Sequence, residues 1–204
     1  MRTWPDCSIS AMHDRAIYAQ VAALHIASID RGFLPQLGPR FLTLLYEAMD
    51  ADPRSILIVE VEQGKVAGFV SGGVGLKHVY RALLGRLPSV VWSLLPALLS
   101  PRKIFRIAEI LLHARSEEAP DLPAAELFSI AVAPFARGTG CAQKLYLALC
   151  RHFRDQGILS FKIVVGRDLG PAHAFYRKMG AEPVSEVEIH ADQASTIYVQ
   201  QNRD

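Results

Sequence analysis

Residues 126–147 read ELFSIAVAPFARGTGCAQKLYL, and the order of side chains in this stretch decides the fold class. Residues 126–133 are apolar and β-prone, which predicts a buried strand. Pro134 stops it, and Gly138 and Gly140 mark a turn. Beyond the turn, Ala142, Leu145, Tyr146, Leu149 and Phe153 recur at helical spacing, which predicts an amphipathic helix with these residues on its inner face. Gly157 ends that helix. A strand, a glycine turn and a helix start together make an anion cradle. The glycines let backbone N–H groups approach a ligand unobstructed. The helix N-terminus adds unbonded donors and the positive end of a dipole. A pyrophosphate suits such a place.

Three nucleotide-type patterns compete for the turn. A P-loop needs a lysine directly after a glycine and a Ser or Thr after the lysine, and Lys144 has neither neighbour. A dinucleotide fingerprint needs a third glycine where Gln143 stands. Residues 137–142, RGTGCA, fit the third pattern, R/Q-x-x-G-x-G/A, and so resemble the GNAT acetyltransferases. Downstream, GPAHAFYRKMG at 170–180 resembles that family's N-x-x-A-x-x-F-Y-x-x-x-G-F segment. Ala172, Phe175, Tyr176 and Gly180 match; Leu169 stands where the family often has Asn, and Ala181 where it usually has Phe. No side-chain contact to a cofactor is therefore expected from position 169.

The resemblance implies an α/β fold: a GNAT-like mixed, mostly antiparallel twisted sheet with helices on both faces. It implies acetyl-CoA as co-substrate, lying between strands 126–132 and 161–165, which splay apart. Backbone groups of Ile130, Ala131 and Val132 would pair with the pantetheine arm. Arg137, Gly138, Thr139, Gly140, Cys141 and Ala142 would hold the pyrophosphate. A primary amine would attack the thioester directly, with Glu126 as base and Tyr176 as the acid that protonates the thiolate. Each role has a plainer rival: Glu126 as a solvated strand-end carboxylate, an even contest, and Tyr176 as a core aromatic beside Phe175, where the resemblance favours the catalytic role. Cys141 occupies the motif's usual Ile/Leu slot and is expected to be a small core residue.

The remaining segments fit one domain over residues 1–204. Residues 7–12 suggest a short opening strand. A helix starts at Asp14 with Ile17, Val21, Leu24 and Ser28 on one side, and a second follows Gly38 and Pro39. Residues 55–62 and 65–74 form a hairpin around Gln63 and Gly64. Strands are expected at 161–165, 184–190 and 195–199, with a helix from Pro171 to Lys178.

Residues 77–122 are the unusual part, a helical insertion punctuated by Pro88, Pro96 and Pro101. Seven of the 22 Lys and Arg fall within 77–115, against one of the 20 acidic residues. Three functional roles compete for it, a lid over the acceptor, a homodimer contact, or contact with an anionic membrane surface, beside the plainer reading of a packed helical layer with a solvated basic face. The lid is favoured, with Arg81 and Arg86 facing an anionic group of the acceptor. His78, Tyr80 and Arg81 either face the acceptor or form the polar side of a helix.

Composition narrows the class further. A net charge of +2 gives no argument for nucleic acid. Three cysteines without a C-x-x-C pair argue against a disulfide framework or zinc, and the seven histidines show no metal-ligand spacing. No signal-like segment opens the chain and no apolar run is long enough to span a bilayer, so a cytoplasmic location is expected. The function expected is N-acetyl transfer to a small-molecule amine. A protein N-terminal or lysine acetyltransferase and a non-catalytic acyl-CoA-binding module are the alternatives.

Overall fold

The computed structural model describes residues 13–29, 34–84, 122–190 and 193–202. The expected opening strand at 7–12, and all of the insertion from 85 to 121, lie outside the described residues. Helix α1 (Arg15–Ser28) starts where Asp14 accepts a bond from the Ala16 N–H. Its buried face is Tyr18, Val21, Ala22, Leu24 and His25. The expected Val21 and Leu24 lie on that face and Ile17 packs against it, but Tyr18, Ala22 and His25 widen it and the expected Ser28 is not among its buried residues. A short 3₁₀ turn (Leu34–Leu37) leads to α2 (Pro39–Ala51), which opens with proline at the position where a missing N–H costs nothing.

Strands β1 (Ser55–Glu62) and β2 (Lys65–Val74) pair antiparallel around Gln63 and Gly64, both of which take positive φ. Helix α3 (Lys77–Leu84) follows, then β3 (Ala125–Val132), helix α4 (Cys141–Asp155), β4 (Ser160–Gly166), α5 (Gly170–Lys178), β5 (Glu182–His190) and β6 (Gln193–Gln201). The sheet order is β1-β2-β3-β4-β6-β5. Of its junctions, β3–β4 is parallel and the other four are antiparallel. The expected mixed, mostly antiparallel sheet is therefore the one observed.

Two apolar layers cover the sheet. One gathers α1, α2 and α3 over Leu57, Val66, Phe69 and Ala131. The other gathers α4 and α5 over Ile58, Val70, Leu127, Phe161 and Ile163. Strand β2 is buried from Val66 to Gly73, as a central strand between two layers must be. Its glycines permit close approach. A Cβ on Gly73 would lie 2.4 Å from the Arg54 carbonyl oxygen, and one on Gly72 would lie 2.9 Å from that of Glu126. The inner face of α4 carries Cys141, Leu145, Tyr146, Leu149, Cys150 and Phe153, whereas Ala142 is only half-buried.

Candidate active site

Strand alternation sets which side chains of β3 face which layer. Ala125 and Leu127 pack with α4 and α5, which turns Glu126 toward the α1–α2 layer. A bulge then interrupts the ladder with β2: Ser71 pairs with Ser129 and Gly72 with Leu127, leaving Phe128 extra. Phe128 packs against the α1–α2 layer, and Ala131 belongs to it. Ile130 and Val132 lean on the other layer.

The edge of β3 toward β4 is almost unpaired. Only Glu126 with Lys162 and Leu127 with Ile163 form rungs between these strands. Strand β4 stays with β6 along its whole length, from Ser160 to Gly166. Beyond Leu127 no further rung joins β3 to β4 among the described residues, and Ile130, Ala131 and Val132 lie along that diverging edge of β3.

The glycine turn sits at the wide end of this wedge. The turn Pro134–Ala136 brings the chain round, and Thr139 Oγ1 donates to the Ala136 carbonyl at 2.7 Å. Gly138 (φ 77°) and Gly140 (φ 88°) adopt left-handed conformations that a side chain would strain. Gly140 opens α4 without a side-chain cap, and the first bond shown there runs from the Lys144 N–H to the Gly140 carbonyl at 3.0 Å. The N–H groups of Cys141, Ala142 and Gln143 thus precede the helical ladder and point outward from its positive end. Arg137 is exposed and donates from Nε to the Val132 carbonyl at 3.4 Å. Cys141 is buried, and its thiol is pushed up to about 11, first by burial and then by Glu60 and Glu62. It is a core residue with no thiolate to offer at neutral pH.

Glu126 lies 3.8 Å from Lys162 Nζ. Burial raises its carboxyl above the usual range and outweighs the opposing pull of Lys162. Tyr176 is buried in the other layer, its ring centroid 6.0 Å from that of Tyr146 and 6.3 Å from that of Tyr198. Burial holds its phenol well above the ordinary range, so it stays protonated. No hydrogen bond joins Glu126 to Tyr176. They belong to opposite faces of the sheet, Tyr176 packing with α4 and α5 and Glu126 turned toward the other layer. Of the residues at the start of the insertion, Tyr80 packs against the α1–α2 layer, His78 meets the Arg54 guanidinium, and Arg81 is exposed.

The geometry agrees with the comparisons. A profile of the acetyltransferase (GNAT) family matches residues 25–181. The chain belongs to the acetyltransferase (GNAT) family. A 73-residue segment is 38% identical to a mycothiol acetyltransferase of Saccharomonospora viridis; it spans 36% of this chain and 24% of that protein's length. Solved GNAT structures share the fold at low identity. An N-acetyltransferase from Staphylococcus aureus Mu50 superposes with a TM-score of 0.60 at 12% identity, over 94% of this chain and 96% of its own. An aminoglycoside 6'-N-acetyltransferase complexed with coenzyme A gives 0.60 at 12%, over 94% and 93%. The ribosomal-protein-S18-alanine N-acetyltransferase of Escherichia coli gives 0.55 at 14%, over 94% and 91%. These likenesses establish the fold alone.

One group of polar residues escaped the sequence reading. His25 is 2% exposed, and its Nδ1 lies 2.6 Å from the Tyr46 hydroxyl. The imidazole stacks over Phe69 at 6.3 Å and 17°. These positions come from α1, α2 and β2, so no local motif joins them.

Proposed function

We propose that the protein transfers an acetyl group from acetyl-CoA to the primary amine of a small molecule by direct attack. The observation that carries this is the split between β3 and β4 with the glycine turn at its wide end. In this reading the pantetheine arm adds to the free edge of Ile130, Ala131 and Val132, and the outward N–H groups of the 137–142 turn and the start of α4 take the pyrophosphate. The aminoglycoside enzyme complexed with coenzyme A shares this fold. An acetyl-CoA site is thus supported by likeness as well as by the wedge.

The amine nitrogen attacks the thioester carbon, and the C–S bond breaks. Over the reaction an ammonium acceptor loses two protons from nitrogen. One makes the free amine and the other leaves after attack, while the thiolate gains one. Glu126 takes a proton from the attacking nitrogen, and its raised carboxyl suits that exchange better than an ordinary one. Tyr176, kept protonated by burial, supplies the thiolate. Two buried free thiols, Cys141 and Cys150, support a reducing, cytoplasmic setting.

Two measurements test the assignment. Calorimetric titration with CoA should show a Kd at least tenfold weaker for Gly140→Ala. Nothing lies within 4 Å of a Cβ there, so the fold should bear only the ~1–2 kcal/mol backbone cost. Thiol release from acetyl-CoA, run over a panel of small amines and peptides, should respond to a small amine. Unchanged CoA affinity in the folded variant overturns the cofactor site. Response to peptides alone overturns the acceptor class.

A further inference from the structure

Strand alternation places a lysine beside Glu126. Phe161 and Ile163 pack in the α4–α5 layer, so Lys162 between them turns to the opposite face, the one that Glu126 takes. Lys162 and Glu126 are partners across one of the two β3–β4 rungs. Their charged ends meet there, with Nζ 3.8 Å from Oε2. At that distance the attraction is charge on charge rather than a hydrogen bond, so the carboxylate oxygens keep lone pairs for an incoming proton. The lysine side chain is 22% exposed and the glutamate 31%, so the pair is held in the protein yet open to water.

We propose, resting on the acetyl-transfer reading above, that Lys162 is a positioning residue for the base, holding the Glu126 side chain as an anion beside the last rung until the acceptor's nitrogen gives it a proton. The lysine takes no part in bond making, and its ammonium keeps its protons throughout. The C–N bond forms, the C–S bond breaks, and the proton from nitrogen goes to a Glu126 oxygen. Burial by itself favours a neutral carboxyl, and a base that rests protonated is no base. The neighbouring cation opposes that drift. It also favours release of the captured proton to the water that reaches the pair, which restores the anion for the next turnover.

The other groups on this face do not replace it. Across β2, Glu126 meets Gly73, which has no side chain. The β6 neighbour of Lys162 is Val199. Helices α1, α2 and α3 bring His25, Tyr46 and Tyr80 to the layer. Burial keeps that imidazole neutral and both phenols protonated at neutral pH. The carboxylates of α2, Glu47 and Asp50, act on Tyr18 of α1. Of α3, His78 meets Arg54 and Arg81 is exposed. Among the described residues, Lys162 is the charge that pulls the Glu126 carboxyl back down against burial.

Lys162→Met removes the charge and keeps an apolar stem, whereas Lys162→Arg keeps the charge. The Glu126 carboxyl is titrated directly by carbon NMR on protein labelled at its glutamate carboxyls; its signal is the one that Glu126→Gln removes. In Lys162→Met the midpoint should rise by about one unit, the low end for an opposite charge this near, because both side chains are partly solvated. Beside this, kcat/KM is followed from ~pH 5 to ~pH 9 with an amine that the wild type acetylates. The amine's own ionisation is common to all forms and cancels in the ratio of variant to wild type. For Lys162→Met that ratio should lie near one at the alkaline end and fall to a loss of about tenfold at the acid end. For Lys162→Arg it should stay near one throughout. A low, flat ratio is packing damage and overturns the proposal, as does an unmoved midpoint, or an Arg variant that behaves like the Met one. Should Lys162→Met not fold, Lys162→Gln takes the same tests. Failure of the acetyl-transfer reading looks different: the wild type itself then neither binds CoA nor releases thiol, and the role of Lys162 falls with it even where the midpoint moves.

Discussion

Acid should destabilise this protein through His25, whose imidazole burial keeps neutral in the folded chain. Burial lowers the imidazole from 6.5 to about 4 in the folded chain. In the unfolded chain the same group titrates near its ordinary value. As the pH falls below 6.5 the unfolded state takes up a proton that the native state refuses, so stability is lost down to about pH 4 and then levels off. The gap of about 2.5 units, at ~1.4 kcal/mol per unit, amounts to roughly 3 kcal/mol. With an m-value of ~2–3 kcal/mol per molar, the urea midpoint should fall by roughly 1 M or more across that window. His152, also lowered by burial, adds in the same direction. Asp50, lowered by its bonds from His13 and Tyr18, acts at the acid end, where its stabilisation is lost as it protonates. The measurement is a set of urea titrations at several pH values on the wild type and on His25→Asn. The variant should be less stable at neutral pH, since the side chain shrinks, and its stability curve should be flatter by about that 3 kcal/mol. Parallel curves for the two proteins would refute the assignment of a neutral, buried His25.

Gly73→Ala should cost ~1–3 kcal/mol or block folding, because its Cβ would sit 2.4 Å from the Arg54 carbonyl oxygen and 2.7 Å from the Ser55 Cα. Gly170→Ala, with nothing within 4 Å, should be neutral or slightly stabilising; thermal melts compare the two. Glu126→Gln should reduce kcat by ~10²–10⁴-fold. In the wild type the acid limb of kcat/KM should lie above the ordinary carboxylate range, because the base must lose a proton that burial helps it keep. Tyr176→Phe should lower kcat with little change in CoA affinity or melting temperature, since no described residue depends on its hydroxyl. Near-normal turnover in both variants would place the chemistry elsewhere.

The sequence showed most of what local pattern can encode. The 126–147 stretch announces strand, turn and helix by its change of period from contiguous apolar to helical spacing, and the observed β3 and α4 follow it. The Gln63–Gly64 hairpin was equally legible, because only residues tolerant of positive φ suit that turn. The bulge at Phe128 was not. A single extra residue leaves the apolar run intact and shifts only which layer each side chain meets. The turned face of α1 has a similar cause. His25 reads as polar in a periodicity count, yet Tyr46 satisfies one of its nitrogens and Phe69 covers its ring. A partner 21 residues away, on another helix, leaves no local spacing to recognise.

In most sheets the vulnerable edges lie at the two outer strands; here a second pair faces inward. Past Leu127 and Ile163, β3 and β4 form no further rungs with each other among the described residues. The trio β1–β2–β3 and the trio β4–β6–β5 are joined within the sheet by two rungs. Anything extended that settles in the gap extends one trio and braces it against the other. A bound donor thus acts as a splint as well as a reactant. Without it, the same open edges are a template for strand addition by another chain, so preparations stripped of ligand should be the first to self-associate on storage.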